Sequence, residues 1–287
     1  MDVRPSPIAG TWYPGDRRVL QESIQRFLSA SILDLPAGRI VGVVAPHAGH
    51  RYSGPVAAYA FNCLRGLQPD LVAVVSPMHH PYRAALLTTA HEAYGTPLGE
   101  VAVDRAAIGE LGKRVREELN LELTPIRNDP EHALEIELPF LQCVLGSFRL
   151  LPVMVMDQEA GTARGLGSAL AKVLKDKPSL LVASSDLSHY FPQATAEVLD
   201  EEMLRRLEAF DPEGVMAAEE EGVGFACGHA AIAAVLWAAR GLGADRVRIL
   251  KHATSGEVTG DYDAVVGYGA AVIWCSAGDT TPIASSL

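Results

Sequence analysis

Histidine, aspartate and cysteine residues follow short apolar runs in this sequence, where they could bind a metal ion or transfer protons. The run VVAP leads into His47, VVSP leads into His79, and VASS leads into Asp186 and His189. A metal site formed at strand ends needs neutral imidazoles together with carboxylates or thiolates from several separate elements. His47 and His79 meet that need, although the spacing within each motif is no known metal signature.

Cys227 is the third candidate ligand. It begins an apolar segment of helical length, GVGFACGHAAIAAVLWAARG, and the dipole and free N–H groups of a helix start would favour a thiolate. Such a thiolate could ligate a metal or attack an electrophile, and the sequence leaves both roles open. The chain has no CxxC pair, so Cys63, Cys143 and Cys275 are interpreted as core cysteines within apolar runs.

Two further groups of polar residues could support this chemistry. Asp186 and His189 are three residues apart, so a helical turn there would direct both side chains into one cavity. Asp186 could then fix the tautomer of His189 or act as an additional ligand. In EHALEIELPF, helical spacing pairs Glu131 with Glu135 and His132 with Glu135, and these residues form either a layer behind the site or a solvated helix surface.

The alternation of apolar runs and helical segments predicts an α/β fold. The runs RIVGVVAP, DLVAVVSP, RLLPVMVM and SLLVASSD predict buried strands of a largely parallel or mixed sheet with helices on both faces. The first helix is predicted after an N-cap at Asp16. Further helices are predicted at 104–119, 131–145, 161–174, 197–210 and 227–240, and a last strand at 264–274 closes the sheet. Ligands bind outside the carboxyl ends of strands in open α/β sheets, so the polar strand ends are expected to converge.

Composition limits the classes of function that remain. The 287 residues are 48% hydrophobic and show no repeat or linker, which favours one domain with a core at 8–275 and a flexible tail at 276–287. The net charge of −11 is spread along the chain, which disfavours binding to nucleic acid or to an anionic membrane. The chain has neither a signal-like N-terminus nor an apolar run of about 20 residues, so we expect a soluble, cytoplasmic protein.

Six motifs in one order resemble the MEMO family, also called component B of the AmmeMemoRadiSam system. They are AGTWYPGD, APHAGHRYSGPVAAYAF, SPMHH, EHALEIELPFL, SSDLSHY and ACGH. The resemblance implies a fold similar to class III (LigB-type) extradiol dioxygenases, which hold non-haem iron(II) by two histidines and a carboxylate. In MEMO proteins a cysteine replaces the carboxylate, and both iron and copper have been attributed to the pocket. Carried over, His47, His79 and Cys227 are the ligands, Asp186 and His189 line the pocket, and His189 matches the dioxygenases' catalytic base.

The sequence also departs from the family pattern. His50 stands where tyrosine is common, Met78 lies in the motif usually written GPSHH, and Ala231 replaces a common proline. His50 and Met78 could alter metal preference or the shape of the pocket.

Three hypotheses follow from these motifs. The first is a metal-dependent redox protein with iron(II) or copper, or alternatively zinc, in which His189 and Asp186 move protons. The second is a non-enzymatic protein that grips a peptide or a partner, for which the resemblance suggests the radical-SAM and AMMECR-type proteins of the same system. The third is a hydrolase or transferase with Cys227 as nucleophile and His189 or His229 as base. The substrate cannot be read from the sequence.

Overall fold

The computed structural model describes residues 1–34 and 37–277, so most of the tail predicted to be flexible lies outside the described residues. The described strands are β1 (Val3–Arg4), β2 (Gly38–Ala45), β3 (Leu71–Pro77), β4 (Leu86–Thr89), β5 (Ala93–Thr96), β6 (Gly99–Ala102), β7 (Leu123–Ile126), β8 (Arg149–Val155), β9 (Ser179–Ser184), β10 (His189–Phe191), β11 (Arg246–Thr254) and β12 (Val265–Ser276). The described helices are α1 (Arg17–Ala30), α2 (His50–Asn62), α3 (Arg105–Leu119), α4 (Leu138–Leu145), α5 (Ala160–Leu174), α6 (Gln193–Glu208), α7 (Pro212–Glu221), α8 (His229–Gly241) and α9 (Gly256–Thr259).

A nine-stranded mixed sheet forms the centre of the fold. Its strands run in the order β10-β12-β2-β9-β3-β8-β4-β7, and β11 pairs with the outer side of β12. The four strands predicted from the apolar runs, β2, β9, β3 and β8, are neighbours and parallel. Strands β12 and β4 join this parallel unit in the antiparallel direction. The predicted α/β class with a mixed sheet is therefore confirmed.

Helices cover both faces of this sheet, as predicted. On one face, apolar residues of α3, α5, α6, α7 and α8 pack against strand residues such as Val75, Val153 and Ala183. On the other face, α1, α2 and α4 pack against Val74 and Val182, among others. Consecutive strand residues thus point into two different cores, which explains why these strands are apolar along their whole length.

The N-cap predicted at Asp16 is confirmed, and a second aspartate caps α3 in the same way. The Asp16 side chain accepts a hydrogen bond from the Val19 N–H at the start of α1, and Asp104 caps Ala107 at the start of α3 in the same way. Helix α2 was not predicted, because Gly54 and Pro55 interrupt its pattern.

The helix predicted at 131–145 is wrong in its first half. Only a 3₁₀ turn at Glu135–Glu137 and helix α4 form there. The Glu131 carboxylate accepts hydrogen bonds from the N–H groups of His132 and Ala133, each at 2.9 Å. Because the side chain binds these backbone donors, it favours a turn over a helix.

Two other boundaries also differ from expectation. The helix predicted at 227–240 begins at His229, so Cys227 lies in the preceding loop. The last strand does not close the sheet, because β12 lies inside it with β11 and β10 paired along its outer side.

Candidate metal centre

The carboxyl ends of β2, β9 and β3 bring the first candidate residues together. These strands are adjacent and parallel, so their ends lie at one edge of the sheet. His47 and His79 are the second residues after the ends of β2 and β3. Their ring centroids are 5.2 Å apart. The expected convergence of these strand ends is therefore present in the structure.

Cys227 reaches the same point from the loop before α8. Its Sγ lies 3.1 Å from His47 Nε2, and its backbone N–H donates to the Asp186 carbonyl at 3.2 Å. Gly228 allows this approach, because a Cβ atom there would lie 2.6 Å from the Ser184 carbonyl oxygen. The glycine of the ACGH motif thus lets the loop press against the end of β9.

The three side chains are placed where they could hold one transition-metal ion. One donor atom from each of His47, His79 and Cys227 lies within 4.8 Å of the others. Bonds of about 2.0 Å to nitrogen and 2.3 Å to sulfur place two ligands of one ion roughly 3.1 to 3.6 Å apart. Two imidazoles and one thiolate suit iron, copper or zinc and do not suit Mg²⁺ or Ca²⁺.

Glu131 holds His79 in place. Its carboxylate lies 2.9 Å from His79 Nδ1 and accepts the His79 backbone N–H at 2.6 Å. Burial alone would raise the pKa of Glu131, but the hydrogen bonds from His79 and from the backbone lower the pKa to about 2. Since Nδ1 faces this carboxylate, His79 is left with Nε2 as its free donor atom, which is how metal-bound histidines are commonly oriented.

A hydroxyl group orients His47. His47 Nδ1 lies 3.0 Å from Ser184 Oγ, and the same oxygen lies 2.6 Å from the Ala133 carbonyl and 2.7 Å from Glu137 Oε1. Burial of the His47 ring lowers its pKa well below the ordinary value, so the ring is neutral at neutral pH.

Asp186 does not fix the tautomer of His189, which was one of the two parts predicted for it. Its Oδ1 accepts the backbone N–H groups of His47 at 2.7 Å and Ala48 at 3.2 Å, so the carboxyl supports the loop after β2. Residues 185–188 form no helical turn, and Asp186 makes no hydrogen bond to His189, whose tautomer it therefore does not fix. Burial raises the pKa of Asp186 to about 7.

His189 lies beside the centre at the start of β10. Its ligand atoms are not part of the group that converges with His47, although a positive charge on His189 would lower the pKa of His47. Burial lowers the pKa of His189, so its ring is neutral at neutral pH and able to accept a proton. The next residue, Tyr190, has a φ of 63° and is 75% exposed, so the chain turns sharply directly after the histidine.

The prediction that the helix start makes Cys227 a thiolate is wrong for the metal-free protein. Burial, with the nearby Asp186 carboxyl acting in the same direction, raises the pKa of the Cys227 thiol well above its ordinary value. Because Cys227 lies before the first turn of α8, it gains no benefit from the helix dipole large enough to offset desolvation.

His132, which the sequence analysis considered only as part of a layer behind the site, lies beside the candidate ligands. Its ring stacks on His79 with centroids 4.8 Å apart, and its centroid lies 5.4 Å from that of His47 and 4.0 Å from that of Trp12. Burial lowers the pKa of His132 to about 4. The donor atoms of His79, Glu131 and His132 also lie within 4.8 Å of one another. The incorrect helix assignment paired His132 with Glu135, whereas the structure groups it with His79 and Glu131.

Glu135 belongs to a separate buried ion cluster. Arg4 donates to Glu135 at 2.5 Å and to Asp129 at 2.7 Å, and Tyr13 donates to Glu135 at 2.6 Å. Arg4 also donates to the Glu131 carbonyl at 2.7 Å. The cluster therefore ties the N-terminal strand to the turn that carries Glu131 and His132, and the solvated helix surface considered for Glu131 and Glu135 is wrong.

The remaining singled-out residues lie away from the candidate ligands. Cys63 is buried, whereas Cys143 and Cys275 are partly buried at the margins of the two cores. Met78 points into the core, and His50 is buried, with Nε2 3.1 Å from the Ile136 carbonyl. Neither departure from the family pattern adds a donor to the centre.

Fold and site together define an α/β protein with a histidine and cysteine centre at the carboxyl edge of its sheet. A family model described as Memo-like protein matches residues 4–272. The chain belongs to this Memo-like family.

Similar proteins agree with this assignment. A MEMO1 family protein of Methanopyrus kandleri is 36% identical over 280 residues, covering 94% of this chain and 98% of that one. MEMO1 family proteins of Nitrosopumilus maritimus and Thermotoga maritima are 33% and 34% identical, covering 93% and 94% of this chain and 98% and 99% of their own lengths. An uncharacterized Escherichia coli K12 protein of known crystal structure is similar with a TM-score of 0.48 and 15% identity, covering 80% of this chain and 99% of that one. That structural similarity is too low to carry a functional conclusion.

One further finding concerns membranes. In the described residues, no helix combines the length and the apolar character needed to cross a bilayer.

Proposed function

We propose that this protein binds one transition-metal ion, iron(II) or copper in preference to zinc, through His47, His79 and Cys227, and acts as a metal-dependent redox protein. The observation that carries the proposal is the meeting of two imidazoles and one sulfur within 4.8 Å, from three separate parts of the chain. Membership of the Memo-like family supports it.

The protein residues have distinct parts in this proposal. Glu131 and Ser184 hold the rings of His79 and His47 from behind, each at Nδ1. A bound iron or copper ion would supply electron transfer and polarise a bound substrate oxygen. His189, neutral and partly buried, would accept a proton from that substrate, and Asp186 would keep the His47 loop in position.

Metal analysis of protein purified without chelators tests the ligand set. We expect near-stoichiometric iron or copper in the wild type and its loss in His47→Ala, His79→Ala and Cys227→Ser. His80→Ala and Cys143→Ser are matched controls, since they remove the same groups outside the centre, and both should keep the metal. Equal metal content in His79→Ala and His80→Ala would contradict the proposal.

A cysteine nucleophile is the competing function. The 3.1 Å contact between Cys227 Sγ and His47 Nε2 would make His47 the base, because His229 instead directs Nδ1 to the Ala226 carbonyl at 3.0 Å. Iodoacetamide labelling of metal-free protein separates the two functions. Labelling of Cys227 much faster than that of Cys143 would favour the nucleophile, whereas the raised pKa of Cys227 predicts slow labelling.

A further inference from the structure

The Ser184 hydroxyl at the end of β9 has more close polar neighbours than its single proton can serve. Ser184 Oγ lies 2.6 Å from the Ala133 carbonyl oxygen, 2.7 Å from Glu137 Oε1 and 3.0 Å from His47 Nδ1. All these distances are hydrogen-bond lengths. Ser184 itself is fully buried.

The possible donors determine where the protons lie. A carbonyl oxygen cannot donate, so the Ser184 proton must point to Ala133. The other two neighbours must then donate to the lone pairs of Ser184 Oγ. For His47 this requires a proton on Nδ1, and for Glu137 it requires a neutral carboxylic acid with its proton on Oε1.

The surroundings of Glu137 support the neutral form. Its side chain is 1% exposed, and no Lys, Arg or His lies within ion-pair distance of it in the parts of the chain that the structure describes. Glu137 precedes α4, where a helix dipole favours a carboxylate, but its side chain accepts no backbone N–H of that helix. An unpaired buried carboxylate is costly, and the acid becomes neutral instead.

His47 itself provides a second observation that agrees with this arrangement. Its other nitrogen, Nε2, lies 3.1 Å from Cys227 Sγ. With the proton on Nδ1, Nε2 presents a lone pair that accepts the thiol proton of Cys227. The same lone pair is the one a metal ion at this point would use.

We infer that Ser184 and Glu137 are positioning residues for the centre: Glu137, as a buried neutral acid, acts through the Ser184 hydroxyl to hold His47 in the tautomer that presents the Nε2 lone pair to Cys227. The consequence for metal affinity rests on the proposed function. The tautomer of His47 and the neutral state of Glu137 are properties of the metal-free protein and do not depend on it.

Two spectroscopic measurements on metal-free protein test the inference, the second by comparison with the conservative Glu137→Gln variant. Nitrogen-15 NMR should show His47 protonated at Nδ1. Infrared difference spectroscopy between wild type and Glu137→Gln should show a protonated carboxylic acid band that only the wild type contains. A proton on His47 Nε2, or a carboxylate band assigned to Glu137, would overturn the inference.

Variants then separate positioning from simple structural support. Glu137→Gln keeps a donor toward Ser184 and should leave both the His47 tautomer and the affinity for Co²⁺, used as a probe, unchanged. Ser184→Ala and Glu137→Leu remove the donor arrangement and should mix the His47 tautomers and weaken Co²⁺ binding about 10- to 100-fold. A Glu137→Gln protein as impaired as Glu137→Leu would show that the ionised form is needed, which contradicts the inference. Normal tautomers with no Co²⁺ binding in the wild type would instead reject only the proposed function.

Discussion

Two buried polar clusters lie on either side of Glu131, and they differ in how their charges are balanced. In the Arg4 cluster, formed by Arg4, Asp129 and Glu135, a guanidinium faces two carboxylates at 2.7 and 2.5 Å. In the His47 cluster, formed by His47, Asp186, Glu137 and Cys227, no such cation is present among the described residues.

The difference shows in the protonation of the groups. Burial lowers the pKa of His47 and raises the pKa values of Asp186, Glu137 and Cys227, so every member is displaced toward its neutral form. The Arg4 cluster is complete as it stands and anchors the chain. The His47 cluster instead contains an imidazole and a thiol that converge with His79, and we assign the chemistry to it for that reason.

Breaking the Arg4 cluster should have the largest effect on stability. Arg4→Met leaves two buried carboxylates without a cationic partner, and we expect a loss of about 3 to 5 kcal/mol in the free energy of unfolding. Urea denaturation measures this loss. Arg18→Met is the control, because Arg18 and Glu22 form an exposed ion pair at 3.5 Å that is worth no more than about 1 kcal/mol. Similar losses in the two variants would contradict the contrast between balanced and exposed charges.

Acid should weaken the contact between the Glu131 carboxylate and His79. The pKa of Glu131 falls from 4.5 to about 2 on folding, which corresponds to roughly 3 kcal/mol. Because the folded-state pKa is depressed, this stability is present above pH 4.5 and is lost as the pH falls toward 2.

Denaturation across that pH range in wild type and Glu131→Gln isolates the contribution. The variant should be less stable at neutral pH and should approach the wild type near pH 2. Glu117→Gln, which alters an exposed pair with Arg114 at 2.9 Å, should follow the wild-type profile. Parallel curves for wild type and Glu131→Gln would count against the assigned role.

A smaller effect is expected from the loop that carries Cys227. Gly228→Ala places a methyl group 2.6 Å from the Ser184 carbonyl oxygen, and overpacking of this kind costs about 1 to 3 kcal/mol. Gly161→Ala, where a Cβ would meet nothing within 4 Å, should be neutral or stabilising.

The Gly228→Ala variant also distinguishes effects on the metal centre from effects on the Glu131 contacts. It should weaken Co²⁺ binding, because Cys227 moves away from His47, while the acid dependence that comes from Glu131 stays the same. Undiminished Co²⁺ affinity in Gly228→Ala would show that the close approach of the loop does not matter for the centre.

The sequence predicts the fold well where the pattern is local and apolar. Four β-branched runs identify the parallel strands, and the rule for open α/β sheets then places His47 and His79 at one edge. Cys227 comes from a distant segment, so its inclusion depended on the family resemblance as well as on its place before an apolar helix.

Contacts that depend on side-chain geometry were beyond sequence patterns. The turn at His132 exists because Glu131 binds the adjacent backbone N–H groups, and helical spacing concealed it. Arg4 contacts residues more than 120 positions away, and no periodicity encodes such a pair. The Asp186 carboxylate accepts a hydrogen bond from the backbone N–H of His47 and makes none with the His189 ring. Residue spacing alone does not distinguish these two partners.

The most direct test of the central claim is a crystal structure of protein purified without chelators, with anomalous scattering recorded at the iron, copper and zinc edges. We expect one peak, at the iron or copper edge, bonded to His47 Nε2, His79 and Cys227 Sγ. A metal bound instead by His79, Glu131 and His132, or the absence of any anomalous peak at a centre whose Cys227 is unoxidised, would contradict the account.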